Sequence, residues 1–249
     1  MATRIAVLGD IHGNEAALDA ALKDIKKKKA ELIVVTGDLA MNGPRPADVI
    51  ERLRDLEATT GAVVIQGNTD IAVADFDFAA AFPWLDEVPA AQRAVAEWTH
   101  DALSDEQLDW LRRLPSERRV MLGDHLVLVC HGSPGSQTSG LALDLDPSIT
   151  VERVTRTDAR VIACGHTHMA DVRELGRKLI CNPGSCGYAF DGDAGAAWAL
   201  LTVDEDGEPQ AELLHAAYDA QAVADEVSAR GLPGDVYRAA TIRTGRFVR

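Results

Sequence analysis

Seven side chains of the kinds that hold divalent cations follow short apolar runs along this chain: Asp10, His12, Asp38, Asn68, His131, His166 and His168. They sit in five segments: Gly9-Asp10-Ile11-His12-Gly13-Asn14, Gly37-Asp38, Gly67-Asn68-Thr69-Asp70, His131-Gly132 and Gly165-His166-Thr167-His168. Carboxylate, amide and imidazole donors in one set suit manganese, iron, zinc or nickel better than magnesium or calcium. One Asp-x-His or one His-x-His is a weak signal. All five segments in order, each flanked by glycine that allows tight turns and close backbone approach, point to a two-metal site at one sheet edge.

Such convergence needs strands that end together. Arg4–Gly9, Leu32–Thr36 and Ala62–Gln66 read as buried strands, with helices after Asn14 and over Pro46–Leu56 between them. This βαβαβ start implies a largely parallel sheet covered on its faces, and ligands bind at the carboxyl ends of such strands. Leu126–Cys130, Arg160–Cys164 and Lys178–Cys181 read as three more strands. Ala197–Val203 and Ala211–Ala216 read as a closing hairpin. The rhythm breaks over about 71–119, expected to be a helical insertion beside the site. There Ser104 and Gln107 have capping-box spacing, and Trp98 and Trp110 read as core. The expected whole is one domain over 1–249, with a helical tail over about 219–249.

With 25 lysines and arginines against 39 acids, the net charge is −14, which disfavours a general nucleic-acid binder. No apolar run has the length of a membrane span. The N-terminal residues run into the first motif with no cleavable signal pattern, so the expected location is cytoplasmic. Cys130, Cys164, Cys181 and Cys186 contain no CxxC pair and read as small buried residues near strand ends. Arg230, Arg238, Arg243, Arg246 and Arg249 read as a solvated or partner-facing tail. Val223, Val227 and Leu232 would pack on the core or on a second copy of the chain.

The segments Gly-Asp-Ile-His-Gly-Asn, Gly-Asp-Leu-Ala-Met-Asn-Gly-Pro, Gly-Asn-Thr-Asp, His-Gly-Ser-Pro and Gly-His-Thr-His, with the later Asn182-Pro183-Gly184-Ser185, resemble the calcineurin-like metallophosphoesterase superfamily. The resemblance covers roughly residues 4–205 and is nearest to the compact bacterial phosphodiesterase-like branch. It implies a four-layer α-β-β-α sandwich of two mixed sheets with a small helical insertion. It implies that Asp10, His12 and His168 hold one metal, that Asn68, His131 and His166 hold another, and that Asp38 bridges them. Manganese or iron is the favoured metal. The implied reaction is attack of a metal-bridging hydroxide on a small phosphate ester, with Asp38, Asn68 and His131 at its centre. Asp70 is a further candidate, either as an acceptor behind a metal-bound histidine or as a purely structural turn aspartate. The alternatives are a metal-dependent nuclease and a non-catalytic metal-binding scaffold. Ser133 and Ser185 lie outside any Gly-x-Ser-x-Gly elbow, which argues against a serine hydrolase.

The chain departs from the family at one cluster of positions. Many relatives carry histidine where Thr69 stands, and the serine/threonine-phosphatase branch carries aspartate and arginine at Met41 and Asn42. Thr69 has no useful acidity near neutral pH. The expected substrates therefore have good or metal-stabilised leaving groups, as in phosphodiesters and cyclic nucleotides. Arg45 is a candidate to meet a substrate phosphate, and His100 a candidate to reach the site from the insertion.

Overall fold

A computed structural model describes residues 2–249. Its strands are β1 (Arg4–Leu8), β2 (Leu32–Val35), β3 (Val63–Val64), β4 (Glu117–Leu122), β5 (His125–Cys130), β6 (Val161–Ala163), β7 (Ala170–Leu175), β8 (Lys178–Pro183), β9 (Ala196–Val203) and β10 (Pro209–Ala216). Its helices are α1 (Glu15–Lys28), α2 (Pro46–Thr60), α3 (Asn68–Asp75), α4 (Phe78–Ala81), α5 (Ala90–Asp101), α6 (Asp105–Arg113), α7 (Pro147–Val154), α8 (Ala220–Ala229) and α9 (Asp235–Thr244).

The strands form two five-stranded sheets, in the orders β10-β9-β1-β2-β3 and β4-β5-β6-β8-β7. Both are mixed. In the first, β1, β2 and β3 run parallel, and β9 pairs antiparallel with β1. In the second, β5, β6 and β8 run parallel between antiparallel edges β4 and β7. Alternation along the strands divides the apolar residues between layers. Ile5, Val7, Val34, Val127, Val129, Val161 and Leu201 fill the space between the sheets. Ala6, Leu8 and Val35 point the other way and pack on Leu18, Ala21, Ile50 and Leu53 of α1 and α2. On the far side, Leu128, Ile162 and Ile180 pack against Val154 of α7. The four-layer sandwich of two mixed sheets is thus the observed fold.

Two edge strands differ from expectation. β4 overlaps the end of the expected insertion, and β7 was not anticipated. Each is an antiparallel edge with outward polar residues, exposed Arg118 and Arg119 in one and half-buried Arg173 and exposed Glu174 in the other, so neither has the apolar run of a central strand. The capping box at α6 is present: the Ser104 hydroxyl accepts from Gln107 N and the Gln107 amide oxygen accepts from Ser104 N. Trp110 packs beside the main core and Trp98 beside the C-terminal helices.

The C-terminal segment folds back onto the site end of the sandwich. Val223, Val227, Leu232, Ala239 and Ile242 of α8, α9 and their connection form one cluster with Tyr188. All four cysteines are free and buried. Among the described residues, no helix is long and apolar enough to cross a membrane.

Candidate metal centre

The loops after β1, β2, β3, β5 and β6 emerge at the same end of the two sheets and bring the seven candidate ligands together. Their backbones are held in a conformation few side chains adopt. Of the eight non-glycine residues with positive φ among the described residues, six lie here: Asp10, His12, Asp38, Asn42, His166 and His168. Strain of this kind persists only where surrounding contacts enforce it. Asp10 N donates to the Gly37 carbonyl at 2.9 Å, and His12 N to the Asp38 carbonyl at 3.0 Å. Ser185 Oγ donates to the Asp10 carbonyl at 2.6 Å, and Asn182 Nδ2 to the Gly165 carbonyl at 2.8 Å. The Asn-Pro-Gly-Ser segment therefore buttresses the loops that carry the ligands. Glycine at 165 is required by space, because a Cβ there would lie 2.4 Å from Asp10 Oδ2.

The side chains form two sets. In the first, His12 Nδ1 lies 2.8 Å from the Met41 carbonyl, and His168 Nδ1 lies 2.5 Å from the Tyr188 carbonyl. Those acceptors assign the ring protons to Nδ1 and leave both Nε2 atoms with lone pairs. The two Nε2 atoms face each other at 3.1 Å. Asp10 Oδ1 is 3.3 Å from His168 Nε2, and Asp38 Oδ2 is 3.5 Å from His12 Nε2. These four residues offer ligand atoms that all lie within 4.8 Å of one another. Lone pairs and carboxylates crowded in this way fit a divalent cation, which would relieve their mutual repulsion.

The second set converges on the other oxygen of Asp38. His131 Nδ1 is 2.7 Å from the Thr36 carbonyl, which turns Nε2 inward. Asn68 Nδ2 donates to the Ala81 carbonyl at 3.1 Å, so its Oδ1 faces the site. There it lies 3.0 Å from His131 Nε2 and 3.0 Å from His166 Nδ1. Asp38 Oδ1 is 3.3 Å from His131 Nε2.

Protonation in the folded chain suits this role at His12, His166 and Asp10. Burial first, then the neighbouring His168, lowers His12 to about 4. Burial first, then His131, lowers His166 to about 4. Both are neutral imidazoles near neutral pH. Burial alone would raise Asp10, but His168, His131 and His12 outweigh it and hold the carboxyl at about 2. Burial would lower His168, and Asp10 beside it raises it instead.

For Asp70 the structural alternative holds, and two other candidate roles change. Asp70 accepts from no histidine. Its Oδ2 accepts from Gly67 N at 2.8 Å and Asp38 N at 3.0 Å, and its Oδ1 from Leu39 N at 2.9 Å. It holds the Asp38 loop rather than a ligand ring, because the start of α3 puts it beneath that loop. Arg45 pairs with Glu226 at 2.9 Å and Glu15 at 3.3 Å on the surface, away from the ligands. His100 Nδ1 lies 2.7 Å from the Val73 carbonyl and its ring packs on Phe76, so it faces the insertion.

The ligands open into a pocket of about 500 Å³. His12, Asp38, Asn68, His166 and His168 form its floor, with Thr69 beside them. Its walls are aromatic and apolar: Phe82, Trp84 and Leu85 from the insertion side, Tyr188 and Phe190, and Tyr237 and Phe247 from the C-terminal segment. Arg238 also lines it and is 1% exposed. The expected solvated arginine tail is thus wrong at this residue. A signal was present: Arg238 lies at helical spacing from Thr241 and Ile242, both buried.

A family model described as the calcineurin-like phosphoesterase superfamily domain matches residues 3–206. The chain belongs to that superfamily. An uncharacterized protein of Methanocaldococcus jannaschii is 25% identical over 244 residues, covering 92% of this chain and 93% of its own. The crystal structure of a metallophosphoesterase from Sphaerobacter thermophilus aligns with TM-score 0.73 and 25% identity, covering 98% of this chain and 100% of that one. A hypothetical protein from Pyrococcus horikoshii shares the fold, with TM-score 0.81 at 24% identity over 97% of this chain and 98% of its own. Superfamily membership and the Asp10, His12, Asp38 and His168 cluster together make this a metal-dependent phosphoesterase.

Proposed function

We propose that this phosphoesterase uses two divalent cations, manganese or iron by preference, to hydrolyse small phosphodiesters with good leaving groups. One observation carries the reading. Asp38 directs Oδ2 toward His12 and Oδ1 toward His131, so a single carboxylate addresses both ligand sets. In this reading Asp10, His12 and His168 would hold one cation, Asn68, His131 and His166 would hold the other, and Asp38 would serve both. The cations, when bound, supply activation of water and neutralisation of charge on the phosphoryl oxygens.

The chain's own groups orient the ester. Thr69 lines the pocket, and its buried Oγ1 has no hydrogen-bond partner. A buried hydroxyl without a partner is unfavourable, and a phosphoryl oxygen in the pocket satisfies it. Thr69 N donates to Asp38 Oδ1 at 2.9 Å, which keeps that hydroxyl beside the bridging carboxylate. The aromatic walls exclude water and take a flat organic group. Thr69 cannot protonate a departing alkoxide, so esters whose leaving group departs as a stable anion are favoured over alkyl monoesters.

The test is turnover by protein stripped of metal and reloaded with manganese. Bis(4-nitrophenyl) phosphate and a cyclic nucleotide are expected to be hydrolysed, with single-stranded DNA left intact. Asp38→Asn is expected to abolish turnover and weaken binding at both cation sites. Failure to hydrolyse any small ester with both cations bound would favour a scaffold, and degradation of DNA alone would favour a nuclease.

A further inference from the structure

Above the ligands the pocket wall holds a buried cation with no acid beside it. Arg238 belongs to the first turn of α9 and meets only neutral acceptors. Its Nε donates to Asn42 Oδ1 at 3.1 Å. Its Nη1 donates to the Pro233 carbonyl and the Tyr237 hydroxyl, each at 2.6 Å. Its Nη2 donates to Gln92 Oε1 over a long 3.4 Å. Among the described residues, no carboxylate pairs with it.

A guanidinium carries five N–H donors and stays charged at any pH a protein survives. The four contacts leave one Nη2 hydrogen without an acceptor. Burying an unpaired charge is unfavourable, and a helix's first turn favours anions, not cations. Both costs are relieved by an anion in the pocket. The lining supports this: Asp38 is its only acid, whereas Arg238 and Arg249 both contribute.

Position decides which anion. Asn42 stands between Arg238 and the ligands, with Nδ2 3.2 Å from His12 Nδ1. The guanidinium therefore lies one side chain beyond the ligands. It meets a part of the substrate other than the phosphoryl group at Asp38.

We propose that Arg238 is a specificity-determining residue, forming an anion-binding subsite for a second anionic group on the retained arm of the phosphodiester. This rests on the phosphodiesterase reading above. The favoured substrate class is a diester whose retained arm joins an aromatic or heterocyclic group, held by Phe190, Tyr237 and Phe247, to a further phosphate.

The experiment compares thymidine 5′-(4-nitrophenyl phosphate) with the same ester carrying a 3′-phosphate. Both release 4-nitrophenolate, so the leaving group is constant. Metal-loaded wild-type protein is expected to favour the 3′-phosphorylated ester by about tenfold in kcat/KM, through KM, as one charge-assisted hydrogen bond supplies. Arg238→Met is expected to erase most of that ratio, and Arg238→Lys to restore part of it. Equal kcat/KM in the wild type would overturn the inference. So would an Arg238→Met variant that lowers both esters by one factor, since that marks a residue that only fastens α9. Should Arg238→Met fail to fold, the wild-type ratio and Arg238→Lys decide. Calorimetry separates failure of the subsite from failure of the hydrolytic reading. If neither ester turns over, tighter binding of thymidine 3′,5′-bisphosphate than of thymidine 5′-phosphate, lost in Arg238→Met and partly kept in Arg238→Lys, still supports the subsite. Equal binding overturns it.

Discussion

Asp70 touches no reacting group, yet its replacement is expected to disturb the centre more than many changes nearer the ligands. It is fully buried and accepts three backbone N–H groups, from Gly67, Asp38 and Leu39. Asp70→Ala leaves all three without partners. Each buried orphan costs about 1–3 kcal/mol, so the loss is roughly 3 kcal/mol or more. Asp70→Asn is milder. Its amide oxygen can take the place of Oδ2, which accepts two of the bonds, while its NH₂ then faces Leu39 N–H. One orphan remains, worth about 1–3 kcal/mol. Urea denaturation of the metal-free variants at pH 8 measures the order: wild type, then Asn, then Ala. Manganese titration by calorimetry measures the second consequence. With Asp38 N released, the Asp38 carboxylate is mispositioned and affinity falls about 10–100-fold, as when a group supporting a ligand is removed. An Ala variant within about 0.5 kcal/mol of wild type would refute the accounting. A destabilised Ala variant that binds manganese normally would refute the positioning role.

Further outcomes follow from the same contacts. Thr69→His is expected to raise turnover of alkyl phosphate esters while leaving 4-nitrophenyl esters ungained, checked by paired kcat values; a uniform loss on both would sink the leaving-group argument. The metal-free protein is expected to lose stability as pH falls from about 6.5 to 4. His12 and His166 are held at about 4 in the folded chain, below the ordinary 6.5, so in that window the unfolded chain binds protons that the folded chain does not. Burial and then Asp38 raise Asp70 to about 7, so it works in the opposite direction. Asp70→Asn should therefore show the steeper decline, and thermal midpoints that are flat across the window in both proteins would contradict this.

The sequence displayed the centre because each ligand follows a strand and stands next to glycine, and those constraints are local. The central strands were legible as apolar runs for the same reason. The edge strands β4 and β7 were not, since an edge presents one polar side and shortens the apolar signal. Asp70 was visible as a residue but its role was not, because which N–H groups reach its oxygens depends on how α3 begins under the Asp38 loop. Arg238 lies 196 residues from Asn42, and no spacing rule links positions so far apart. Only its helical phase with Thr241 and Ile242 betrayed an inward-facing side.

The ligands all lie within residues 3–206, the stretch that matches the superfamily, whereas Tyr237, Arg238, Phe247, Val248 and Arg249 of the pocket wall come after it. Part of the pocket wall is thus written on a stretch of chain separate from the donor atoms, beside the wall residues Phe82, Trp84, Tyr188 and Phe190 that lie within the matched stretch. Mutations in the later stretch can redraw the shape and charge of the entrance without moving a single donor atom of the candidate metal centre. Divergence among relatives can then proceed by exchange of this trailing segment, with hydrolytic competence inherited intact. For design, the same division makes residues 231–249 the natural library for redirecting the enzyme toward new esters.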